Sequence, residues 1–157
     1  MGCAVTVAFI GHRNIDLDTA RRRELYDTVR DLIECENADT FLFGSRSRFD
    51  DCSLGIATEL KCIYPSVKRV YVRAEYPVIS EDYKKCLLRF YDDTFFPESI
   101  LNAGKAIYLE RNRLMIDLAD VCIFYCDTSR HSDLDRSGTY AAFRYALSKK
   151  KRVINMC

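Results

Sequence analysis

Three polar segments combine glycine with groups that can hold an anion, and each lies in a loop that follows an apolar run. They are Gly11-His12-Arg13-Asn14, Gly44-Ser45-Arg46-Ser47-Arg48 and Ser137-Gly138-Thr139. Glycine lets a ligand approach the backbone closely, arginine bonds phosphate bidentately, and serine and threonine add hydroxyl donors. These residue types favour the binding of a phosphate-bearing ligand.

Ser137-Gly138-Thr139 has the clearest mechanism of the three. It stands directly before a predicted helix, where backbone N–H groups and the helix dipole attract negative charge. An ordinary helix cap is the equally weighted alternative, because serine caps helices without any ligand. Gly11 and Gly44 either end strands or clear space for a ligand. Neither a G-x-G-x-x-G fingerprint nor a P-loop motif occurs in the sequence.

Several single side chains extend this hypothesis. His12 could act as a general acid or base or bond a ribose or base, although a satisfied turn histidine is the more frequent case. Basic groups that suit phosphate are Arg13, Arg46, Arg48 and Arg111. For Arg46 and Arg48 taken singly, solvated surface charge is the favoured interpretation. Aromatic rings near these loops that could stack on a base are Phe49, Tyr76 and Tyr125, but most of the 19 Phe and Tyr residues belong in a core.

The elements that must position these residues alternate along the chain. Apolar runs predict strands in AVTVAFIG, TFLFG, KRVYVRAEYP, VCIFYC and KRVINM, with AIYL as a brief edge strand. Helical spacing predicts helices in ARRRELYDTVRDLIECE, CSLGIATELKCIY, SEDYKKCLLRFYDDTF, ERNRLMIDLA and SGTYAAFRYALSKK, while SRSRFDD and DTSRHSDLDR are predicted as loops. This order predicts a single α/β domain over residues 1–157. It is Rossmann-like and doubly wound, with a mostly parallel sheet and helices on both faces. Ligands of such sheets bind outside the carboxyl ends of the strands, where these loops meet.

Composition excludes several classes of protein. The chain has 157 residues and a formal net charge of +1, which favours neither nucleic acid nor anionic membrane as a partner. No apolar run is long enough to span a membrane, and we expect no signal peptide. Eight cysteines without a C-x-x-C pair, and only two histidines, His12 and His131, give no zinc spacing. We interpret the cysteines as small apolar core residues of a reducing cytoplasm, and we expect no metal or cofactor.

Four segments in order, VAFIGHR, FLFGSRSRFDD, ERNRLMIDLADVCIFY and SGTYAAFRYALSKKKRVIN, resemble the SLOG superfamily. This group joins the LOG-type cytokinin-activating phosphoribohydrolases with DprA-like proteins and nucleotide-sensing relatives. The chain is most similar to its small stand-alone bacterial branch, the YpsA/YspA-like proteins. The resemblance implies a nucleotide-derived ligand at the carboxyl edge of a Rossmann-like sheet. By position, it implies ligand contacts from Gly11, His12, Arg13, Gly44, Ser45, Arg111, Asn112, Ser137, Gly138 and Thr139.

The sequence departs from the LOG-type enzymes at their P-G-G-x-G-T-x-x-E motif. The P-G-G is missing, and Ala142 stands at the position of the glutamate that assists cleavage of the N-glycosidic bond. Carboxylates that could substitute from other loops are Asp50, Glu59, Glu75 and Asp127, in a different geometry. We therefore assign no catalytic residue. A nucleotide N-glycosidase of the phosphoribohydrolase type remains the alternative, and single-stranded DNA binding, as in DprA, is the weakest hypothesis.

The leading interpretation is a binding module for an ADP-ribose-like or cyclic nucleotide species. What the resemblance implies is a sensor or a sequestering protein in stress or anti-phage signalling, in the cytoplasm, and a homodimer or higher homo-oligomer. The tyrosine-rich stretch from Tyr83 to Phe96 is a candidate partner surface or lid.

Overall fold

Apolar strands alternate with helices throughout the part of the chain that the computed structural model describes, residues 2–129 and 137–157. Its strands are β1 (Val5–Gly11), β2 (Ala38–Phe43), β3 (Lys68–Val72), β4 (Asp93–Phe95), β5 (Val121–Tyr125) and β6 (Arg152–Asn155). Its helices are α1 (Thr19–Glu36), α2 (Arg48–Ile63), α3 (Glu81–Leu87), α4 (Ile107–Leu118) and α5 (Gly138–Ser148). Two short 3₁₀ turns, Glu98–Ile100 and Gly104–Ala106, connect β4 to α4.

The described strands form one sheet in the order β4-β3-β2-β1-β5-β6, and every neighbouring pair is parallel. The chain moves outward from β1 to β4 and then returns to place β5 on the other side of β1. The direction of winding therefore reverses between β1 and β5, which is where doubly wound sheets open a crevice for ligands. The predicted Rossmann-like α/β fold is confirmed, and the sheet is parallel throughout.

Side chains of β1 alternate between two hydrophobic layers. Val7 and Phe9 pack in the layer that contains residues of α1 and α2. Ala8 and Ile10 pack in the layer that contains residues of α4 and α5. Because successive side chains of a strand point to opposite faces, this continuous apolar run requires cover on both sides. The predicted helices on both faces are confirmed.

Polar side chains fix the starts of four helices. Asp18 caps α1, Ser47 caps α2, Ser80 caps α3 and Ser137 caps α5, each by accepting a hydrogen bond from a backbone N–H of the first turn. Helices α2 and α5 begin within the loops that the sequence singles out. Their N-terminal ends therefore lie at the carboxyl edge of the sheet, together with the strand ends.

Four boundaries differ from the sequence-based predictions. Residues 48–51, predicted as loop, form the first turn of α2 because Ser47 accepts from the Asp50 N–H and the Phe49 side chain is buried. AIYL is wrong as a strand, since it leads into α4, whose buried Arg111 and Met115 lie one turn apart on one face. Strand β3 ends at Val72, well before Pro77.

The fourth difference is a missed strand. Asp93–Phe95, predicted as part of a helix, forms β4, which pairs with β3. Asp92 sits before it and accepts hydrogen bonds from the Arg69 backbone and guanidinium, which docks this short segment at the sheet edge. Of the loop predicted over residues 127–136, the part from residue 130 on, which includes His131, lies outside the described residues.

Candidate functional site

All ten residues singled out as ligand contacts line one cleft of about 870 Å³ at the carboxyl edge of the sheet. They come from the ends of β1 and β2, from α4 and from the start of α5. They are Gly11, His12, Arg13, Gly44, Ser45, Arg111, Asn112, Ser137, Gly138 and Thr139. The cleft spans the switch point between β1 and β5, and its volume lies within the range of small-molecule sites.

Two of the three glycines in this set are required by protein packing. A Cβ at Gly11 would lie 2.4 Å from the Phe49 ring, and one at Gly44 would lie 2.6 Å from Met115 Sδ and 2.7 Å from Arg111 Nε. These distances are far below van der Waals contact, so a side chain at either position would force its neighbours to shift. For Gly11 and Gly44, close packing at the strand end therefore explains the glycine without a ligand.

Gly138 is different. A Cβ there would meet nothing within 4 Å among the described residues, and its φ is not in the left-handed region. Glycine is a poor helix former, yet it occupies the first position of α5. Neither packing nor backbone conformation in the described part of the chain requires a glycine at this position.

The start of α5 exposes donors to the cleft. Ser137 caps the helix by accepting from the Tyr140 N–H at 3.2 Å, which confirms the ordinary capping interpretation for its hydroxyl. The N–H groups of Gly138 and Thr139 lie in the first turn, where a helix has no internal acceptors. Capping and anion binding are therefore compatible here, because the cap uses a different N–H group.

Arg111 forms the floor of the cleft and is only 4% exposed. Its Nη1 donates to the Gly44 carbonyl, and its Nε donates to Asn112 Oδ1 at 3.1 Å. Its guanidinium also lies 5.8 Å from the centroid of the Tyr108 ring. Among the described residues, no carboxylate comes within ion-pair distance of Arg111, and none of them accepts a hydrogen bond from its Nη2.

Asp50 lies beneath the same floor and is 2% exposed. Its Oδ2 accepts from both the N–H and the hydroxyl of Ser45, each at 2.8 Å, and its Oδ1 has no hydrogen-bond partner in the described part of the chain. Burial raises the pKa of Asp50 to about 6, against the opposing effects of Ser45 and the Arg111 charge. Burial likewise lowers the pKa of Arg111, and the Asp50 charge opposes that shift.

Hydrogen bonds of His12 connect the loops after β1 and β5 at the switch point. Its backbone N–H donates to the Tyr125 carbonyl at 3.2 Å, and its Nε2 accepts from the Asp127 N–H at 2.9 Å. A nitrogen that accepts from a backbone N–H is unprotonated, so protonating it would break this bond. The geometry therefore favours a structural role for His12 over general acid–base chemistry.

The remaining arginines differ in their surroundings. Arg13 is exposed on the cleft wall, and its guanidinium contacts no acceptor among the described residues. Arg46 also lines the cleft and donates to the Tyr83 hydroxyl at 3.4 Å. Arg48 points to a neighbouring hollow and pairs with Asp16 at 3.4 Å, which confirms surface charge for this residue. Two exposed cations thus remain on the cleft wall, above the buried Arg111.

Aromatic rings line the cleft, but mostly not those chosen from the sequence. Phe49 is fully buried in the core, and Tyr125 faces the neighbouring hollow. Of the three predicted rings only Tyr76 lines the cleft. It is joined there by Tyr83, which begins the stretch predicted as a partner surface or lid, and by Tyr71 and Tyr108, for which the sequence predicted no role in a site. These rings lie at or after β3 or at the start of α4. Their shared position can be recognised only when the end of β3 at Val72 is known.

Glu75 is the only carboxylate among the described residues that line the cleft, and it accepts from the Tyr108 hydroxyl at 2.7 Å. Ala142, the predicted counterpart of the hydrolases' glutamate in the SLOG resemblance, is fully buried between α5 and the sheet. Of the other substitutes considered, Glu59 pairs with Arg22 and Asp127 lies in the neighbouring hollow. The described lining of the cleft is therefore basic, with Arg13 and Arg46 on the wall and Arg111 in the floor against the single carboxylate of Glu75.

The cysteines divide into a buried and an exposed group, with Cys52 intermediate between them. Cys122 and Cys126 are buried on one side of the sheet, as predicted, and burial raises the pKa of each thiol to about 11. The core interpretation is wrong for five others, which are exposed: Cys3, Cys35, Cys62, Cys86 and Cys157. No group of three metal-ligating side chains occurs among the described residues.

No protein-family model matches the chain, and no curated protein is significantly similar to it. In the described ranges, no helix combines the length and the apolar character that crossing a membrane requires.

Proposed function

We propose that this protein is a SLOG-type binding module that holds a nucleotide or nucleotide-derived ligand, such as an ADP-ribose-like or cyclic nucleotide species, without cleaving it. The observation that carries the proposal is the convergence of three arginines and the open first turn of α5 on one cleft at the switch point. A basic concave site beside a helix start suits a phosphate group.

The phosphate would bind at the start of α5. Gly138 leaves space for it, and the first-turn N–H groups and the Thr139 hydroxyl supply donors. Arg13 is exposed on the same wall and would neutralise its charge. This arrangement needs no rearrangement of the cap, because Ser137 already bonds the Tyr140 N–H.

Arg111 would add a positive potential from below. Its charge is shielded from water, so its interaction with an anion in the cleft is less screened than that of a surface arginine. An anion would also supply the acceptor that Nη2 lacks among the described residues. Since Nη1 and Nε hold Gly44 and Asn112, the guanidinium is preoriented for this contact.

The surroundings of the cleft favour binding over hydrolysis. Cleaving an N-glycosidic bond requires a carboxylate that stabilises the sugar cation or activates water. The position that carries it in the phosphoribohydrolases is the buried Ala142. Glu75 already accepts a hydrogen bond from Tyr108, and Asp50 lies under the floor rather than on the wall.

We extend the proposal to the biological setting that the SLOG resemblance implies. The protein would act in the cytoplasm as a sensor or as a sequestering protein in stress or anti-phage signalling, and would form a homodimer or larger homo-oligomer. Light scattering of the purified chain tests the oligomer directly: a mass of two or more copies supports it, and the mass of one copy contradicts it.

A thermal-shift screen with recovery of the ligand tests the binding function. Nucleoside monophosphates, NAD, ADP-ribose and cyclic nucleotides are each added to the protein, and the ligand is then analysed by chromatography. A ligand that binds the folded state raises Tm by an amount that grows with the logarithm of its excess over Kd. We expect a shift with at least one nucleotide, recovered intact. Release of free base would favour the N-glycosidase, and no shift with any of them would contradict the proposal.

A further inference from the structure

Four tyrosines form one side of the cleft, and we refer to them as the tyrosine wall: Tyr71, Tyr76, Tyr83 and Tyr108. They come from β3, from the loop after it, from α3 and from α4, so separate parts of the chain converge on this surface. Tyr76 is 53% exposed and Tyr108 is 50% exposed. The wall therefore presents aromatic surface to the cleft that the protein itself leaves uncovered.

Neighbouring groups hold these rings in place. Tyr71 stacks on Tyr91 with centroids 5.1 Å apart, and Tyr76 meets Tyr83 edge to face at 6.0 Å. The Tyr108 hydroxyl donates to Glu75. A flat ligand that enters here meets rings that are already oriented, which limits the entropy lost on binding.

The wall and the start of α5 lie at opposite ends of the cleft. The sheet order runs β3-β2-β1-β5, so the strand that precedes the wall and the strand that precedes α5 are three strand spacings apart, about 14 Å. Arg111 lies between them, under Gly44 at the end of β2. A free phosphate cannot touch both ends, whereas a phosphate joined through a sugar to an aromatic ring has that extended shape.

Glu75 supplies a polar group at the edge of the wall. One of its oxygens accepts from Tyr108, and a carboxylate has acceptor capacity for further donors. Groups that it would recognise are N–H donors on the edge of a ring, such as an exocyclic amine. It would be repelled by a ring edge that presents a carbonyl oxygen in the same place.

We infer that the tyrosine wall binds a nucleobase that carries an exocyclic amino group. The base stacks on Tyr76 and Tyr108, and its edge donates a hydrogen bond to Glu75. This inference rests on the proposed function, because it assumes that the ligand's phosphate lies at the start of α5. The inference adds two points to that function: the base lies past the carboxyl end of β3, and uracil is not the favoured base.

Calorimetric titration with a matched series of ligands tests the inference. The probes are ribose 5-phosphate and the 5′-monophosphates of adenosine, guanosine, cytidine and uridine. We expect at least one amino-bearing nucleotide to bind at least about five-fold more tightly than ribose 5-phosphate, the low end for stacking one base on an aromatic side chain. It should also bind more tightly than the uridine nucleotide.

Three variants assign that preference to the wall. Tyr76→Ala should remove most of the gain over ribose 5-phosphate, and Glu75→Gln should reduce the preference over uridine. Phe90→Ala is the control, because Phe90 is a 60% exposed aromatic residue that does not line the cleft. It should leave all affinities unchanged.

The failures of the two proposals are distinguishable. Equal affinity for ribose 5-phosphate and all four nucleotides, or a Tyr76→Ala variant that binds as the native chain does, would overturn the wall and leave the phosphate site intact. Equal binding of uridine would overturn the role of Glu75. If none of the five probes binds, the inference is overturned, while the proposed function fails only if NAD, ADP-ribose and the cyclic nucleotides of the thermal-shift screen do not bind either.

Discussion

Two buried residues of opposite charge, Arg111 and Asp50, lie under the cleft without forming an ion pair. Each holds a segment of the β2–α2 loop: Arg111 bonds the Gly44 carbonyl, and Asp50 bonds the N–H and hydroxyl of Ser45. Removing Arg111 would leave that carbonyl without its partner, at a cost of about 1–3 kcal/mol. A substitution of Arg111 would therefore change both stability and ligand binding, so substitutions of exposed residues test ligand binding more directly.

Asp50 gives stability a defined pH dependence. Because folding raises the pKa of Asp50 from 3.8 to about 6, the folded state binds more protons in that window, and stability falls as the pH rises through it. Between pH 4 and pH 7, urea denaturation should show the native chain losing up to about 3 kcal/mol relative to Asp50→Asn.

The window is chosen to separate Asp50 from the other shifted carboxylate. Asp92 has its pKa lowered to about 2, where hydrogen bonds from Arg69 outweigh the opposing effect of burial. Its contribution is therefore complete above pH 4 and is lost only as the pH falls further. Parallel stability curves for the native chain and Asp50→Asn above pH 4 would contradict the account.

Arg13 is the exposed residue best suited to test the phosphate contact. Arg13→Ala should weaken nucleotide binding by about 1.5–3 kcal/mol, the range for a hydrogen bond to a charged group, with Tm unchanged because its guanidinium contacts no described acceptor. Arg89→Ala is the control, since Arg89 is exposed but lies outside the cleft. Calorimetric titration of both variants measures the effect, and equal affinities would rule out Arg13 as a contact.

At the scale of elements, the position of α2 depends on its approach to the end of β1. The Phe49 ring, in the first turn of α2, occupies the space that a side chain at Gly11 would need. This contact brings the Ser47 cap and the Gly44–Ser45 loop to the edge of the cleft. The glycine thus acts on the site through helix packing rather than through a ligand.

Gly11→Ala tests this packing. A Cβ 2.4 Å from Phe49 Cδ2 and 2.5 Å from Phe49 Cβ cannot be relieved by a ring rotation alone, so the helix must shift. We expect a loss of about 1–3 kcal/mol in unfolding free energy, as for other overpacked cores. Gly55→Ala, in the same helix but with open space for a Cβ, should instead be neutral or stabilising by up to about 1 kcal/mol. Denaturation curves that show equal stability for Gly11→Ala and the native chain would contradict this role of Gly11 in helix packing.

The elements that the sequence predicted well are those with long periodic patterns. Helix α1 follows from Leu25, Val29 and Leu32, and β1 follows from an unbroken apolar run. AIYL has residues that favour strands locally, but it lies at the start of α4, because burial of Arg111 and Met115 on one helical face decides the outcome. Strand β4 has only three residues, too few for a pattern, and is defined by pairing with β3.

For the whole molecule, parallel topology explains why the sequence alone predicts that distant segments form one site. Loops after β1, β2 and β5 must meet at one edge, and the residues chosen from them line one cleft. The burial of individual side chains cannot be predicted from topology in the same way. Asp50 looks like a solvated loop residue in the sequence, and the convergence of Tyr71 and Tyr108 depends on how α4 packs beside β3.

The most direct test of the account is a calorimetric titration of AMP, NAD, ADP-ribose and a cyclic nucleotide into the native chain, Gly138→Val and Gly55→Val. Both glycines are helical, and a Cβ at either meets nothing within 4 Å in the described part of the chain, but only Gly138 lines the cleft. The account predicts that at least one nucleotide binds the native chain and Gly55→Val equally. It should be recovered intact and bind Gly138→Val at least about ten-fold more weakly, a difference of about 1.4 kcal/mol. Unchanged binding by Gly138→Val, or no binding of any nucleotide to the native chain, would contradict it.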